Sequence, residues 1–342
     1  MQKTLKWGIV GTGGIASDFA DALAGSPRGQ VVNVVGTSPA KAEAFAKTWK
    51  LPASSATLQQ MLGDKNVEAV YVASPHPAHE AQAIACIEAG KHVLCEKPCT
   101  IDAAGTERVI EAARRRGLFL MEAFMYRCHP LIGELLSRLR DGVIGEIRHV
   151  RADFGFRVPR NPEGRLFKVE LGGGGILDVG GYPMSFARLI AGIVEGKPFS
   201  EPTRLEANGF LGPTGADEVA TALLTFASGL TAQLTCAVHH DVGTSAVVFG
   251  EAGKIVLPNP WIPQGKRQGR ESSFTIFRDG RDPETVPVRT TQATYAIEAD
   301  LVADTLPRLE PASPAMTWAD TLGNMRALDR WRAALAGARK RD

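Results

Sequence analysis

The tightest constraint on this chain lies in its first sixteen residues. An apolar run, Leu5–Val10, ends in Gly11-Thr12-Gly13-Gly14-Ile15-Ala16, and helical spacing follows at Ile15, Phe19, Ala22 and Leu23. A strand that breaks on G-x-G-x-x-A and reopens as a helix is the frame of a phosphate-binding turn. Gly11 permits the tight turn, Gly13 lets the backbone approach a pyrophosphate, and Ala16 lets helix and strand pack closely. Amides at the helix start then face the anion. Gly11, Thr12, Gly13, Gly14 and Ile15 are therefore candidate dinucleotide contacts. The plainer alternative is a strand–helix turn with no ligand.

The first third repeats this alternation. Apolar runs at 31–35, 69–73, 92–95 and 118–121 are separated by helical patterns at 41–50, 58–62, 79–89 and 103–116. Short buried strands between helices describe a parallel sheet covered on both faces. After about residue 125 the texture changes. One more helical stretch, 130–142, precedes period-two segments at 147–156, 203–210, 220–226, 231–238 and 245–249. That period reads as a mostly antiparallel sheet. The expected fold is a doubly wound α/β Rossmann domain over 1–124, then an α+β domain with an open, mainly antiparallel sheet over 125–342. Helices at 295–304 and 317–335 are placed to cross back to the first domain, and the basic tail 339–342 reads as a frayed end.

Composition removes several classes. Lys plus Arg is 39 and Asp plus Glu is 37, a net charge of +2. That balance argues against a nucleic-acid or membrane-surface protein. No apolar run reaches the roughly 18 residues that a membrane span needs. The opening residues leave no room for a signal peptide, and five scattered cysteines fit a reducing compartment, so a cytoplasmic protein is expected. No metal site is expected. Cys95 and Cys99 lack a second ligand pair at zinc spacing, and adjacent His239 and His240 point to opposite faces of a strand.

The end of the second strand bears on the cofactor. NAD binders usually place Asp or Glu there to hold the ribose hydroxyls. This chain reads Val35-Gly36-Thr37-Ser38-Pro39, with Lys41 beyond. Thr37, Ser38 and Lys41 can surround a 2′-phosphate that a carboxylate would repel, so NADP is the expected cofactor, with NAD as the alternative. Lys41 also has the plain reading of a solvated helix residue.

Two further stretches carry a resemblance: 89–98, AGKHVLCEKP, and 173–182, GGGILDVGGY. With the N-terminal glycine turn, they resemble the Gfo/Idh/MocA oxidoreductase family over essentially the whole chain. Within it, 116–123 (RGLFLMEA) and the Asp178…Tyr182 pair are most similar to the branch of dimeric dihydrodiol dehydrogenases and NADP-dependent D-xylose dehydrogenases. The resemblance implies a nicotinamide between the two domains. It also implies hydride transfer at a secondary alcohol or hemiacetal carbon of a sugar, cyclic polyol or related diol. A homodimer or higher homo-oligomer through the open sheet face and a cis Lys97-Pro98 peptide are further implications.

On that basis Lys97, Tyr182 and Asp178 are the candidate catalytic residues. Lys97 follows a strand at its carboxyl end, where it can donate to a substrate hydroxyl and stabilise charge developing on oxygen. Pro98 fixes the turn that aims it. Glu96 either orients Lys97 or contacts the cofactor; the plain alternative for Glu96-Lys97 is a surface ion pair. A free tyrosine has a pKa of about 10, and a nearby ammonium with a positive nicotinamide would favour phenolate at Tyr182. Asp178 lies one helical turn earlier and can orient a substrate hydroxyl or Lys97. Gly180, Gly181 and Pro183 weaken helix continuity there, and a capping Asp178 with a packing Tyr182 is the alternative.

Ser74, His76 and His79 follow the 69–73 strand and are placed on the nicotinamide-ribose side. Arg127, at the domain junction, is a cofactor or sugar contact. His129 is a substrate contact or a junction histidine. Phe154 and Trp261 resemble aromatic positions that line the pocket in that branch, although such residues are more often core. Two other activities share the frame: cleavage of a glycosidic bond assisted by tightly held NAD, and a non-catalytic cofactor-sensing regulator. An intact Lys97, Asp178 and Tyr182 set argues against the regulator.

Overall fold

The computed structural model describes residues 4–263 and 271–338; the basic tail 339–342 lies outside the described residues. β1 (Leu5–Val10), β2 (Gly29–Val35), β3 (Ala69–Val72), β4 (His92–Glu96) and β5 (Leu120–Ala123) form a parallel sheet in the order β2-β1-β3-β4-β5. Helices α1 (Gly14–Leu23), α2 (Pro39–Trp49), α3 (Leu58–Gly63), α4 (His79–Glu88) and α5 (Ala103–Arg116) alternate with these strands. Local chemistry sets their ends. Ser38 caps α2 with Pro39 at the first helical position, and Asp102 Oδ1 accepts the Gly105 amide at 2.7 Å to start α5. One sheet face buries Trp7, Phe19, Tyr71 and Leu94; the other buries Val10, Val70, Val93 and Val109.

After β1 the chain turns to β2 on one side and later to β3 on the other. This reversal opens a crevice between the carboxyl ends of β1 and β3, where open α/β sheets bind ligands.

α6 (Met125–Cys128) and α7 (Pro130–Arg140) lead into the second sheet. Its strands are β6 (Ile147–Gly155), β7 (Arg204–Leu211), β8 (Asp217–Thr225), β9 (Thr231–Ala237), β10 (Ala246–Gly250), β11 (Gly253–Leu257), β12 (Glu271–Arg278) and β13 (Glu284–Arg289). They lie in the order β13-β12-β11-β10-β6-β9-β8-β7, antiparallel except for the central β6–β9 pair. β11 to β13 extend the sheet beyond the last segment legible in the sequence. β13, at the sheet edge, is short and carries Pro287, which only an edge or bulge tolerates.

One face of this sheet packs on α8 (Gly181–Glu195), α7 and α10 (Trp318–Ala338), burying Leu135, Ile190, Leu234 and Trp331. Phe210 and Leu223 are exposed, at 53% and 56%. α9 (Thr294–Thr305) returns to the first domain, with Ala296, Ala299 and Val302 packed beside Trp7 and Phe19. α10 touches both domains: Trp318 Nε1 donates to the Leu120 carbonyl at 3.0 Å and Trp331 Nε1 to that of Thr221 at 3.2 Å. Among the described residues, no helix is long and apolar enough to cross a membrane.

Candidate active site

The glycine turn sits at the mouth of the crevice. Gly11 adopts φ +119°, and a Cβ there would stand 2.6 Å from the Ala73 carbonyl oxygen, so only glycine fits between β1 and β3. Gly13 caps α1 without a side-chain bond, and the first turn of α1 holds no acid. A Cβ on Gly13 or Gly14 would meet nothing within 4 Å. The amides at the start of α1 therefore face open space, free of competing carboxylates, which fits a pyrophosphate.

From this turn a cleft of about 1200 Å³ runs to Lys97 and Tyr182. Thr12, Ile15, Thr37 and Lys41 line its outer end, together with Ala44, Phe45, Thr48 and Leu58, which the sequence did not single out. Ser38 is not on its wall. Its hydroxyl accepts the Lys41 amide at 3.4 Å as the cap of α2, and capping is the role a serine ahead of Pro39 takes.

Ser74, His76 and His79 line the middle of the cleft. His79 spans two carbonyls, with Nδ1 2.8 Å from Pro98 O and Nε2 2.7 Å from Ser74 O. Burial lowers its pKa, against both carbonyls, which favour a protonated ring. His76 Nδ1 lies 3.3 Å from Gly172 O. Burial, and then the Lys97 ammonium, push its pKa down to about 3, so it is neutral at physiological pH.

β4 delivers Glu96 and Lys97 to the inner end. Glu96 accepts the Tyr71 hydroxyl on one carboxylate oxygen and the Lys97 amide, at 3.2 Å, on the other. The Lys97–Pro98 peptide is cis. The next amide, Cys99, donates to Glu122 Oε1 at 2.8 Å, so a buried carboxyl on β5 anchors the far side of the turn. Lys97 Nζ donates to the Asp178 carbonyl at 2.7 Å, lies 3.8 Å from Asp178 Oδ1, and stands 5.4 Å from the centroid of the Tyr182 ring.

Asp178 sits in a π-helical turn, Ile176–Gly180, that runs straight into α8. The wide turn replaces the α-helical step expected from the spacing, and it accommodates the glycines that clouded that reading. Arg165 Nη1 donates to Asp178 Oδ1 at 2.9 Å. Burial would raise the pKa of Asp178, but Lys97 and Arg165 outweigh it and hold the carboxyl below its usual range.

Tyr182 differs from the expectation. Its ring packs against Phe124 at 5.0 Å and Phe154 at 5.1 Å. Burial, and then the carboxyls of Glu96, Glu298 and Asp178, push its pKa well above 10, so it is a phenol rather than the phenolate that an ammonium and a positive nicotinamide would favour.

Phe154 lines the cleft, whereas Trp261 is fully buried behind it. The two rings stack with centroids 6.1 Å apart, and the indole donates to Asp153 O at 2.8 Å. Arg127 and His129 do not reach the wall. Arg127 is fully buried, donating to Asp320 Oδ2 at 2.7 Å and to the Ser185 carbonyl at 3.3 Å. Asp320 also accepts from Arg188 at 2.6 Å. This interior network, which ties α6, α8 and α10, replaces the ligand contact expected of Arg127. His129 Nδ1 accepts the Leu131 amide at 3.1 Å as the cap of α7, which is a junction role. Arg165 and Tyr295, absent from the sequence-based set, do line the cleft. Nothing in the local pattern of Tyr295 marks it; α9 brings it back from more than a hundred residues away.

Known proteins share this fold. Residues 5–124 match the model of the oxidoreductase family with an NAD-binding Rossmann fold, and residues 133–256 match the GFO/IDH/MocA C-terminal domain. The chain belongs to the Gfo/Idh/MocA family. It is an NAD(P)-dependent oxidoreductase. Among its relatives is the trans-1,2-dihydrobenzene-1,2-diol dehydrogenase of Xenopus tropicalis, 32% identical over 92% of this chain and 93% of the relative. The mouse enzyme of the same name is 35% identical over 76% of each chain. Among solved structures, the 3-ketoreductase KijD10 from Actinomadura kijaniata, in complex with NADP and TDP-benzene, superposes with a TM-score of 0.84. It is 26% identical and covers 97% of this chain and 98% of its own.

Proposed function

We propose that this protein is an NADP-dependent dehydrogenase of diols and sugars, in which Tyr182 moves the proton and Lys97 holds the reacting oxygen. The observation that carries the reading is the approach of Lys97 to the Tyr182 ring at the inner end of the cleft that starts at the glycine turn. A bound nicotinamide would accept or donate the hydride at the substrate carbon. In the reductive direction the Tyr182 phenol donates a proton to the nascent alkoxide, while the Lys97 ammonium stabilises the charge on that oxygen. In the oxidative direction the same phenol oxygen must first lose its proton, which burial opposes and positive charge beside it favours. Asp178, ionised between Lys97 and Arg165, accepts a neighbouring substrate hydroxyl and so selects for a second OH. The Phe154 face, backed by Trp261, offers a flat apolar wall to a ring bearing two hydroxyls.

Thr37 and Lys41 at the outer end support NADP over NAD, since neither would repel a 2′-phosphate. In this reading residues 1–124 hold the dinucleotide and 125–342 hold the substrate. Exposed Phe210 and Leu223 support pairing of two chains through the open sheet. Five free thiols support a cytoplasmic home.

The test is a panel of cyclic diols, aldoses and polyols with NADP⁺ and with NAD⁺, read by nicotinamide absorbance. Oxidation of ring diols or aldoses, with higher kcat/KM for NADP⁺, is expected. No reduction of either cofactor across the panel, or reduced cofactor that never leaves the enzyme while a glycoside is cleaved, would overturn the reading.

A further inference from the structure

Asp217 is a buried carboxylate that the sequence motifs do not include. It opens β8 and lies directly beneath the glycine run 172–175. Its Oδ2 accepts the Ile176 amide at 2.6 Å, and its other oxygen lies so close to Gly174 that a Cβ there would stand 2.0 Å from it. Gly174 itself holds φ +111°. Gly173 has no more room, because its Cβ would stand 2.8 Å from the carbonyl oxygens of Arg165 and Lys168. The run is therefore glycine because a carboxylate and two carbonyls occupy the space that side chains would need.

Ile176 is the first residue of the turn that carries Asp178, and the Asp178 amide closes back on Gly174 O at 3.2 Å. The Asp178 carbonyl then receives Lys97 Nζ. A line of contacts thus runs from Asp217 through the Ile176 amide and the Asp178 backbone to the Lys97 ammonium. We propose that Asp217 is the positioning residue of the active site: it holds the 174–178 backbone so that Lys97 and Tyr182 meet over one carbon. It touches neither cofactor nor substrate, and the inference rests on the dehydrogenase reading only for its catalytic consequence.

Two features support the choice of a carboxylate. A carboxylate has acceptor sites for several amides, and here those of Ile176, Gly175 and Asp217 itself all act on it. Burial pushes its pKa up to about 7 despite those bonds and despite the Arg332 guanidinium on α10. A group kept at that cost in the interior has a local task that an apolar residue cannot perform. Cys236, the neighbouring thiol on β9, is buried, and its own pKa is raised, so it supplies no competing charge.

The experiment compares full-length Asp217→Ala and Asp217→Asn with wild type by steady-state kinetics, NADPH binding and amide hydrogen exchange. Asp217→Ala is expected to lower kcat by at least about tenfold with NADPH affinity within about twofold, and Asp217→Asn, which keeps an oxygen for Ile176, to recover part of the loss. Exchange should speed up at 175–182 in the Ala variant and stay unchanged across β1, β3 and β4. Unaltered exchange at 175–182 in Asp217→Ala overturns the positioning role whether or not a substrate is in hand. Loss of NADPH binding or faster exchange throughout the chain would overturn it too, by showing a general structural role. A wild type that turns over no substrate, with exchange as expected, would instead count against the dehydrogenase reading alone.

Discussion

The Lys97 ammonium stands 5.4 Å from the centre of the Tyr182 ring, although 85 residues and a domain crossing separate the two in sequence. Strand β4 fixes one partner and the π-turn leading into α8 fixes the other. The pairing matters because burial and the ammonium act on the Tyr182 hydroxyl in opposite directions. Burial keeps Tyr182 protonated, and the adjacent cation lowers the cost of removing that proton.

Lys97→Met keeps the length of the stem and removes the charge. A loss of kcat of about 10² to 10³ is expected, the scale for deleting one group that stabilises developing charge on oxygen. NADPH affinity should change little. Equal kcat in variant and wild type, measured under saturating substrate, would remove Lys97 from the chemistry.

Cofactor choice is expected to reside in Thr37 and Lys41. Lys41→Ala should lower kcat/KM for NADP⁺ by roughly tenfold and leave NAD⁺ almost unaffected, as for one phosphate contact. Thr37→Asp should go further and reverse the preference, since a carboxylate there repels the 2′-phosphate and can hold ribose hydroxyls. A variant pair with unchanged NADP⁺/NAD⁺ ratios would place the discrimination elsewhere in the cleft.

The glycine turn, the alternation of strands and helices, and the Lys97 and Tyr182 positions were legible because each depends on neighbours within a few residues. Gly11 is required by its own φ and by the next strand, and a strand end aims Lys97. Arg127 is the opposite case. Its partner Asp320 lies on the last helix, and nothing near Arg127 in sequence distinguishes an interior ion pair from a ligand contact. Trp261, Tyr295 and Asp217 are set by long-range packing in the same way, and β11 and β13 are strands of only five and six residues, too short for a clear pattern.

That interior network has a measurable consequence. Asp320→Ala leaves Arg127 and Arg188 buried without their shared carboxylate, and removal of one partner from a buried pair costs about 3–5 kcal/mol. Thermal or denaturant unfolding should show a loss of that order, with kcat in the folded fraction nearly intact. A stability change below about 1 kcal/mol would contradict the structural role assigned to Arg127.

Glu122 gives a pH signature of definite sign. Burial raises its pKa from 4.5 to about 7 in the folded protein. Between those values the native state binds more protons than the unfolded one, so this group makes stability fall as pH rises, then level off above about 7. His76, with its pKa lowered to about 3, acts in the opposite direction, with stability rising with pH up to 6.5. Glu122→Gln keeps the acceptor for Cys99 and the His76 contribution, and removes only the Glu122 slope. Unfolding midpoints at pH 5 and pH 8 should therefore shift toward relatively greater stability at pH 8 in the variant. Parallel pH profiles would mean that Glu122 titrates normally.

The most direct test of the site is Tyr182→Phe, followed by single-turnover hydride transfer and NADPH titration on the same preparation. The expected result is turnover lowered by at least about a thousandfold, with NADPH binding within about twofold of wild type, because the ring still packs among Phe124, Phe154 and Tyr126 and only the hydroxyl is lost. Hydride transfer at the wild-type rate in this variant would contradict the assignment of Tyr182 as the proton carrier.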